Sequence, residues 1–360
     1  MKDEMKIRLY NSSGRIEYLD IMKGFGILLL LLSHSISGES ILKIWIFSFH
    51  MPLFFWCTGY IITMKNPCGE ELQGKLGRIM IRKSLAILVP YVVFSLLIIF
   101  YQVLLQLLHS HTFDTVAFVD KLMRIVELRG MESLWFLPCL LLAECMFFVL
   151  YAYLPRWGLG LICLACITVN FIFNNKLPAS IFGVFIRSTT GFVFVCFGCF
   201  SYTLSKRKTP NKKLSIHDSP CTSLLFLILG AVISYINGFA AIGSFEFGFV
   251  PFFYISALLT LQGCIGICKN APRLQIIPFF GKNSIVVLCT NNLIIEILRL
   301  LDSKFCGNFF LSHGMMGAFL FAILLAIIEL PIIIIGMKYF HCLLGVFPQK
   351  INTLSESGKT

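Results

Sequence analysis

A chain of 360 residues is long enough for two soluble domains, but 57% of this one is hydrophobic, only 13% is charged, and Phe alone occurs 36 times. With a mean hydropathy of +0.84, it carries more apolar surface than a soluble core hides, which excludes the soluble, disordered and fibrous classes together. The net charge of +12 does not mark a nucleic-acid binder, because the basic residues sit in short gaps between apolar runs, where membrane orientation needs them.

A helix crossing ~30 Å of hydrocarbon needs about 20 residues. Ten segments qualify, at roughly 20–36, 42–64, 85–108, 133–153, 158–174, 183–203, 221–237, 249–268, 283–300 and 315–344. The sequence therefore predicts an all-α, polytopic membrane protein with about ten transmembrane helices. The long, non-alternating runs exclude a strand barrel. The first run has no small-x-small cleavage site and reads as an uncleaved helix rather than a signal peptide. Pro331 in the last run predicts a kink or a trailing turn.

Charge asymmetry sets the expected orientation. With the N-terminus cytoplasmic, the inside segments hold twenty-one basic residues (Lys338 counted with the C-terminal end), against five outside: Lys121, Arg124, Arg129, Lys176 and Lys304. Lys23, Lys43, Arg187 and Arg299 fall within spans or at their edges. Both termini are thus expected to be cytoplasmic, with the run Lys206-Arg207-Lys208 and Lys212, Lys213 as an inside anchor. The expected division is a cytoplasmic segment 1–19, a membrane domain 20–344 and a cytoplasmic tail 345–360.

Polar groups inside spans are costly and so point to function. Lys23 and His34 lie eleven residues apart in the first span, on one helix face and about 16 Å from each other. Asp20 is placed to pair with Lys23. His34 also reads as an interfacial histidine. In the second span Pro52 follows His50, and a broken helix here would border a cavity, although Phe54, Phe55 and Trp56 read equally as packing. Over 69–83, Glu71, Lys75, Arg78 and Arg82 recur at helical spacing. They read either as a headgroup-facing amphipathic helix or as a phosphate cradle, since guanidinium pairs hold phosphate in bidentate fashion. Cys163/Cys166 and Cys196/Cys199 lie in apolar helices without His or carboxylate at ligand spacing, so no metal site is expected there.

The run Tyr18-Leu-Asp20-Ile-Met-Lys23-Gly24 continuing to His34, with Phe49-His50-Met51-Pro52 leading to Thr58-Gly59-Tyr60, resembles the acyltransferase 3 family of integral-membrane acyltransferases, and within it the fucose 4-O-acetylase-like branch. Arg82-Lys83, Pro90-Tyr91, Ser133-Leu134-Trp135 and Gly281-Lys282-Asn283-Ser284 extend the resemblance along the membrane domain. It implies transfer of an acyl group, usually acetyl, from cytoplasmic acyl-CoA to a hydroxyl of an extracytoplasmic glycan. Lys23 stands where the family usually has Arg. The R-x-x-R motif is only approximated by Lys75 to Arg78 or by Arg78 and Arg82, and Thr290-Asn291-Asn292 stands where a Thr-His pair is common. Asn keeps a hydrogen-bonding group but is no base near neutral pH.

The resemblance and the residues together give one expected mechanism. His34 takes the proton of the acceptor hydroxyl, Asp20 orients the donor end, and His50 and Trp135 line the reaction chamber. Lys23, Arg78, Arg82, Lys83 and Trp135 hold acetyl-CoA, the donor substrate. The expected partners are acyl-CoA, a carbohydrate acceptor, free or lipid-linked, and membrane lipids, in a bacterial inner or plasma membrane. No nucleophilic serine elbow is visible, which favours direct transfer. The competing reading is a transporter or lipid-linked glycan flippase, which would favour internal repeats; none is visible.

Overall fold

A computed structural model describes residues 16–110, 113–207, 219–272 and 275–346. The two termini and most of the basic run at 206–213 lie outside the described residues. What is described is helical, with ten helices long and apolar enough to cross a membrane. These are α1 (Glu17–Ser35), α2 (Ile41–Lys65), α3 (Leu76–Ser110), α5 (Phe136–Tyr153), α6 (Arg156–Phe173), α7 (Ile181–Arg207), α8 (Pro220–Asn237), α9 (Val250–Asn270), α11 (Ser284–Phe305) and α13 (Gly314–Tyr339). Three short helices connect them: α4 (Thr115–Val126), α10 (Ile276–Lys282) and α12 (Phe309–Ser312). Side-chain caps start several helices, as where Ser40 Oγ accepts from the Lys43 N–H at 3.1 Å and Asp114 Oδ1 from the Ala117 N–H at 3.0 Å.

The interior is built from α1, α2, α5, α7 and α9, the helices with the largest buried share. At the edge, α8 turns Leu224, Leu225, Ile228 and Val232 outward, as a helix wetted by lipid does. Helices in lipid gain by close backbone approach, which small residues permit. The motif glycines serve this purpose. A Cβ on Gly59 of α2 would run into the Val195 carbonyl of α7, and one on Gly198 of α7 into the Trp56 carbonyl of α2. Beside this crossing Trp56 Nε1 donates to Ser201 Oγ at 3.1 Å. Likewise Gly24 of α1 meets the Ile277 carbonyl, and Gly281 meets that of Asp20, so the Gly281-Lys282 motif seats α10 against the Lys23 end of α1.

Several expectations are corrected. The segment 69–83 is not a separate amphipathic helix: residues Glu70–Lys75 form a 3-10 turn, and Leu76 starts the 35-residue α3. Nothing between Leu76 and Lys83 breaks a helix, so Arg78, Arg82 and Lys83 ride on the first turns of a membrane span, while Glu71 and Lys75 belong to another element. Pro52 and Pro331 sit inside α2 and α13, each of which continues past its proline as one helix, and the trailing turn expected after the last span is present at 341–345. The loop 109–132 contains α4.

A histidine-lined cavity and a basic cavity at opposite ends of the bundle

At the end of the bundle reached by the C-terminus of α1, a cavity of about 560 Å³ is lined by His34, His50, Ser133, Trp135, Asn292 and Glu296 among others. α1 supplies His34 from its last turn and α2 supplies His50 from its third turn. Phe47 lies between their rings, with centroids 6.1 Å from His34 and 5.2 Å from His50. His50 is buried, and its Nδ1 lies 2.7 Å from the Ile46 carbonyl. A carbonyl only accepts, so Nδ1 carries the proton and Nε2 presents a lone pair. The imidazole of His34 hydrogen-bonds to no protein group among the described residues. Its backbone carbonyl accepts from Arg299 Nη2 at 2.8 Å, which fixes the end of α1 against α11.

The roof of this cavity is a loop that the sequence did not single out. Between α8 and α9, Ala241 and Glu246 pair through reciprocal backbone bonds of 2.7 and 3.1 Å. Two asparagines clamp the return. Asn174 Oδ1 accepts from the Phe247 N–H at 3.0 Å, and Asn237 Oδ1 accepts from the Phe249 N–H at 2.8 Å. Phe245 and Phe247 are buried beneath, so Ala241 to Ser244 form a fixed wall rather than a loose loop.

The run Thr290-Asn291-Asn292 divides its work by helical phase. Asn292 faces the histidine cavity. Asn291 is fully buried and accepts from Ser133 Oγ at 3.2 Å, tying the Ser133-Leu134-Trp135 turn to α11. The Thr290 hydroxyl contacts both carboxyl oxygens of the buried Glu329 at 2.9 and 2.8 Å. Glu296 and Arg299 line the histidine cavity, while Glu329 lies buried behind it against Thr290; none of the three was among the expected site residues, and their only signal was charge inside a span or at its edge.

The opposite end holds the remaining predicted residues, but not in one place. Arg82 and Lys83 line a cavity of about 570 Å³ with Lys65, Asn66 and Gly345. Lys83 is engaged there by Glu144 of α5, at 3.0 Å. Arg78 is exposed and lines none of the cavities described. Asp20 is buried and holds Lys23 at 3.5 Å, as its spacing suggested. That pair stands about 21 Å along α1 from His34 for Asp20 and about 16 Å for Lys23, so Asp20 does not share the histidine cavity. Trp135, expected both among the donor-binding residues and in the wall of the reaction chamber, lines the histidine cavity. The four cysteines of the two C-x-x-C pairs are buried and free, and no group of three or more potential ligands suited to a metal ion occurs among the described residues.

Fold and site together define a multi-pass membrane protein with a histidine-bearing cavity at one end of the helix set and a cation-bearing cavity at the other. Residues 16–337 match the family model of the acyltransferase 3 domain. The chain belongs to that family, and its general activity is membrane O-acyl transfer. No curated protein and no solved structure matches it.

Proposed function

We propose that this acyltransferase moves an acetyl group from acetyl-CoA, bound at the cytoplasmic face, to a hydroxyl of a cell-surface or lipid-linked carbohydrate at the other face. In this reading it belongs to the fucose 4-O-acetylase-like branch, resides in a bacterial inner or plasma membrane, and has both termini in the cytoplasm. The single observation that carries the reading is the layout of α2. Its C-terminal end walls the cavity of Lys65, Arg82 and Lys83, and its N-terminal end walls the cavity of His34 and His50. From Lys65 to His50 is about 22 Å along the helix axis, a span for an extended pantetheine arm whose nucleotide phosphates stay among the cations.

The chemistry follows from the residues. Arg82 and Lys65 supply charge-assisted bonds to phosphate, with Lys23 along the path. His34 has free ring nitrogens; its neutral form accepts the hydroxyl proton as the oxygen attacks the thioester carbonyl. The C–O bond forms, the C–S bond breaks, and the departing thiolate takes the proton that His34 removed from the hydroxyl, which returns the imidazole to its neutral form. His50, with Nδ1 bound to Ile46, orients the acceptor through Nε2. Asn292 supplies an amide for positioning.

The test is deletion of the gene in its native host, followed by measurement of O-acetyl groups on each purified surface glycan. Loss from one glycan, restored by the wild-type gene, is the expected result. Unchanged acetylation on all of them, with altered export of a lipid-linked glycan, would replace this reading with a flippase.

A further inference from the structure

A second, smaller cavity of about 290 Å³ opens beside the histidine chamber and shares Gly243 and Ser244 with it. Three arginines line it, Arg124, Arg129 and Arg187, and no carboxylate does. Arg124 is held by Asp120 at 2.9 Å and Arg129 by Glu127 at 3.3 Å; these pairs are partly exposed and neutralise their arginines only weakly. Arg187 differs. It lies two turns inside α7, has no ion pair among the described residues, and leaves its buried Nε without a hydrogen-bond partner. Its guanidinium sits over the ring of Trp135, 5.2 Å from the centroid. An unpaired cation at this depth is costly unless a ligand completes it. The start of α7, at Ser180, Gly183 and Val184, adds the positive end of a 27-residue helix.

The cavity is built, not incidental. Tyr91 of the Pro90-Tyr91 motif accepts from the Gly130 N–H at 3.3 Å and lies 3.3 Å from the carbonyls of Arg124 and Ile125, pinning the segment that carries two of the arginines. Gly130 has φ +72°, and a Cβ there would strike the backbone of Trp135. That contact fixes the arginine segment to the tryptophan shared with the chamber.

We infer that the acceptor is anionic: while its hydroxyl is presented to His34, an oxyanion of the same molecule, a carboxylate or a phosphate, is held by Arg187 and Arg129 beyond Trp135. This deepens the proposed function and rests on its assignment of the histidine chamber to the acceptor. The volume suits one charged group or one small residue of a glycan, with the reacting sugar in the larger chamber.

The test measures binding without any donor. Full-length protein in nanodiscs of phosphatidylcholine, which carries no net charge, is titrated calorimetrically with methyl β-glucuronide, glucose 1-phosphate and methyl β-glucoside. One charge-assisted contact predicts at least tenfold tighter binding of a charged glycoside than of the neutral one, and the tighter of the two charged probes identifies the oxyanion. Arg187→Gln removes the preference and Arg129→Gln, at a partly exposed position that folding tolerates, reduces it severalfold. Equal affinity for all three probes, absence of binding by the charged ones, or a preference that survives Arg187→Gln or is undiminished by Arg129→Gln overturns the inference. A preference that is present while the protein transfers no acetyl group to any glycan overturns the transferase reading instead.

Discussion

Replacing His34 by Gln separates a base from a hydrogen-bonding bystander. The imidazole bonds to no protein group among the described residues, and the bond from Arg299 goes to the His34 backbone carbonyl, so the substitution breaks no link of the fold. The side chain keeps similar length and an amide, but it accepts no proton. The whole loss should therefore appear in the chemical step. A positioned general base contributes roughly 10²–10⁴ in rate, which corresponds to about 2.7–5.5 kcal/mol of barrier. Purified His34→Gln protein in proteoliposomes, with acetyl-CoA enclosed on the Arg82 side, should release CoA and form acetylated acceptor at least a hundredfold more slowly. Donor affinity should be unchanged. The pH profile supplies the sign: the base works as the neutral imidazole, so wild-type rate falls at low pH as the imidazole is protonated, and the residual rate of the variant lacks that limb. His50→Gln removes the bond to Ile46, costing about 0.5–1.5 kcal/mol of stability, with a smaller loss of rate. A His34→Gln enzyme of near-normal rate and unchanged pH profile would refute the assignment and move the base to His50, whose free Nε2 is already set by Ile46.

Arg78→Gln combined with Arg82→Gln should weaken acetyl-CoA binding by more than tenfold, at roughly 1.5–3 kcal/mol per charge-assisted bond; since Arg82 lines the cavity and Arg78 does not, Arg82→Gln alone should account for most of it. Unaltered affinity in equilibrium binding would reduce the segment to an interfacial anchor. Gly59→Ala should lower the thermal stability of detergent-purified protein by about 1–3 kcal/mol of overpacking, because the added Cβ meets the Val195 carbonyl; an unchanged melting curve would mean the helices separate freely. Thr290→Val should destabilise by about 1–3 kcal/mol, by leaving the Glu329 carboxyl without its partner, whereas Thr290→Ser should restore the wild-type curve. In a cysteine-free background, cysteine at position 211 should resist an impermeant thiol reagent in intact cells while cysteine at 244 reacts; labelling at 211 would invert the assigned orientation.

The spans were legible because a continuous apolar run of about 20 residues matches the thickness of a bilayer and exceeds what a soluble helix leaves uncharged. The His34–Lys23 face and the Asp20–Lys23 pair followed from helical spacing alone. What escaped the sequence depended on phase, packing or distance. The boundary at Leu76 was hidden because a 3-10 turn and an amphipathic helix share the same charges. Asn291 and Asn292 are chemically identical, and only their turn around α11 assigns one to Ser133 and the other to the cavity. Trp135 fitted both the donor set and the chamber wall, because its neighbours in sequence say nothing of the loop 241–244 that packs on it. Asn174 and Asn237, which hold that loop, act across 73 residues in one case and 12 in the other. Arg187 was visible only as a stray charge at a span edge; the missing counter-ion is a fact of three dimensions.

The length of α3 carries a consequence for the surrounding bilayer. Thirty-five residues make a rod of about 52 Å, far longer than the ~30 Å of hydrocarbon it crosses. Its exposed apolar side chains begin beside Arg82, at Ile81 and Leu85, which in the proposed orientation puts Arg82 at the level of the lipid headgroups. Under the donor assignment above, every acetyl-CoA that arrives must displace a lipid headgroup from that guanidinium. Anionic lipid is then a competitive inhibitor dissolved in the membrane itself, and the apparent affinity for donor falls as its mole fraction rises, with the rate at saturating donor unchanged.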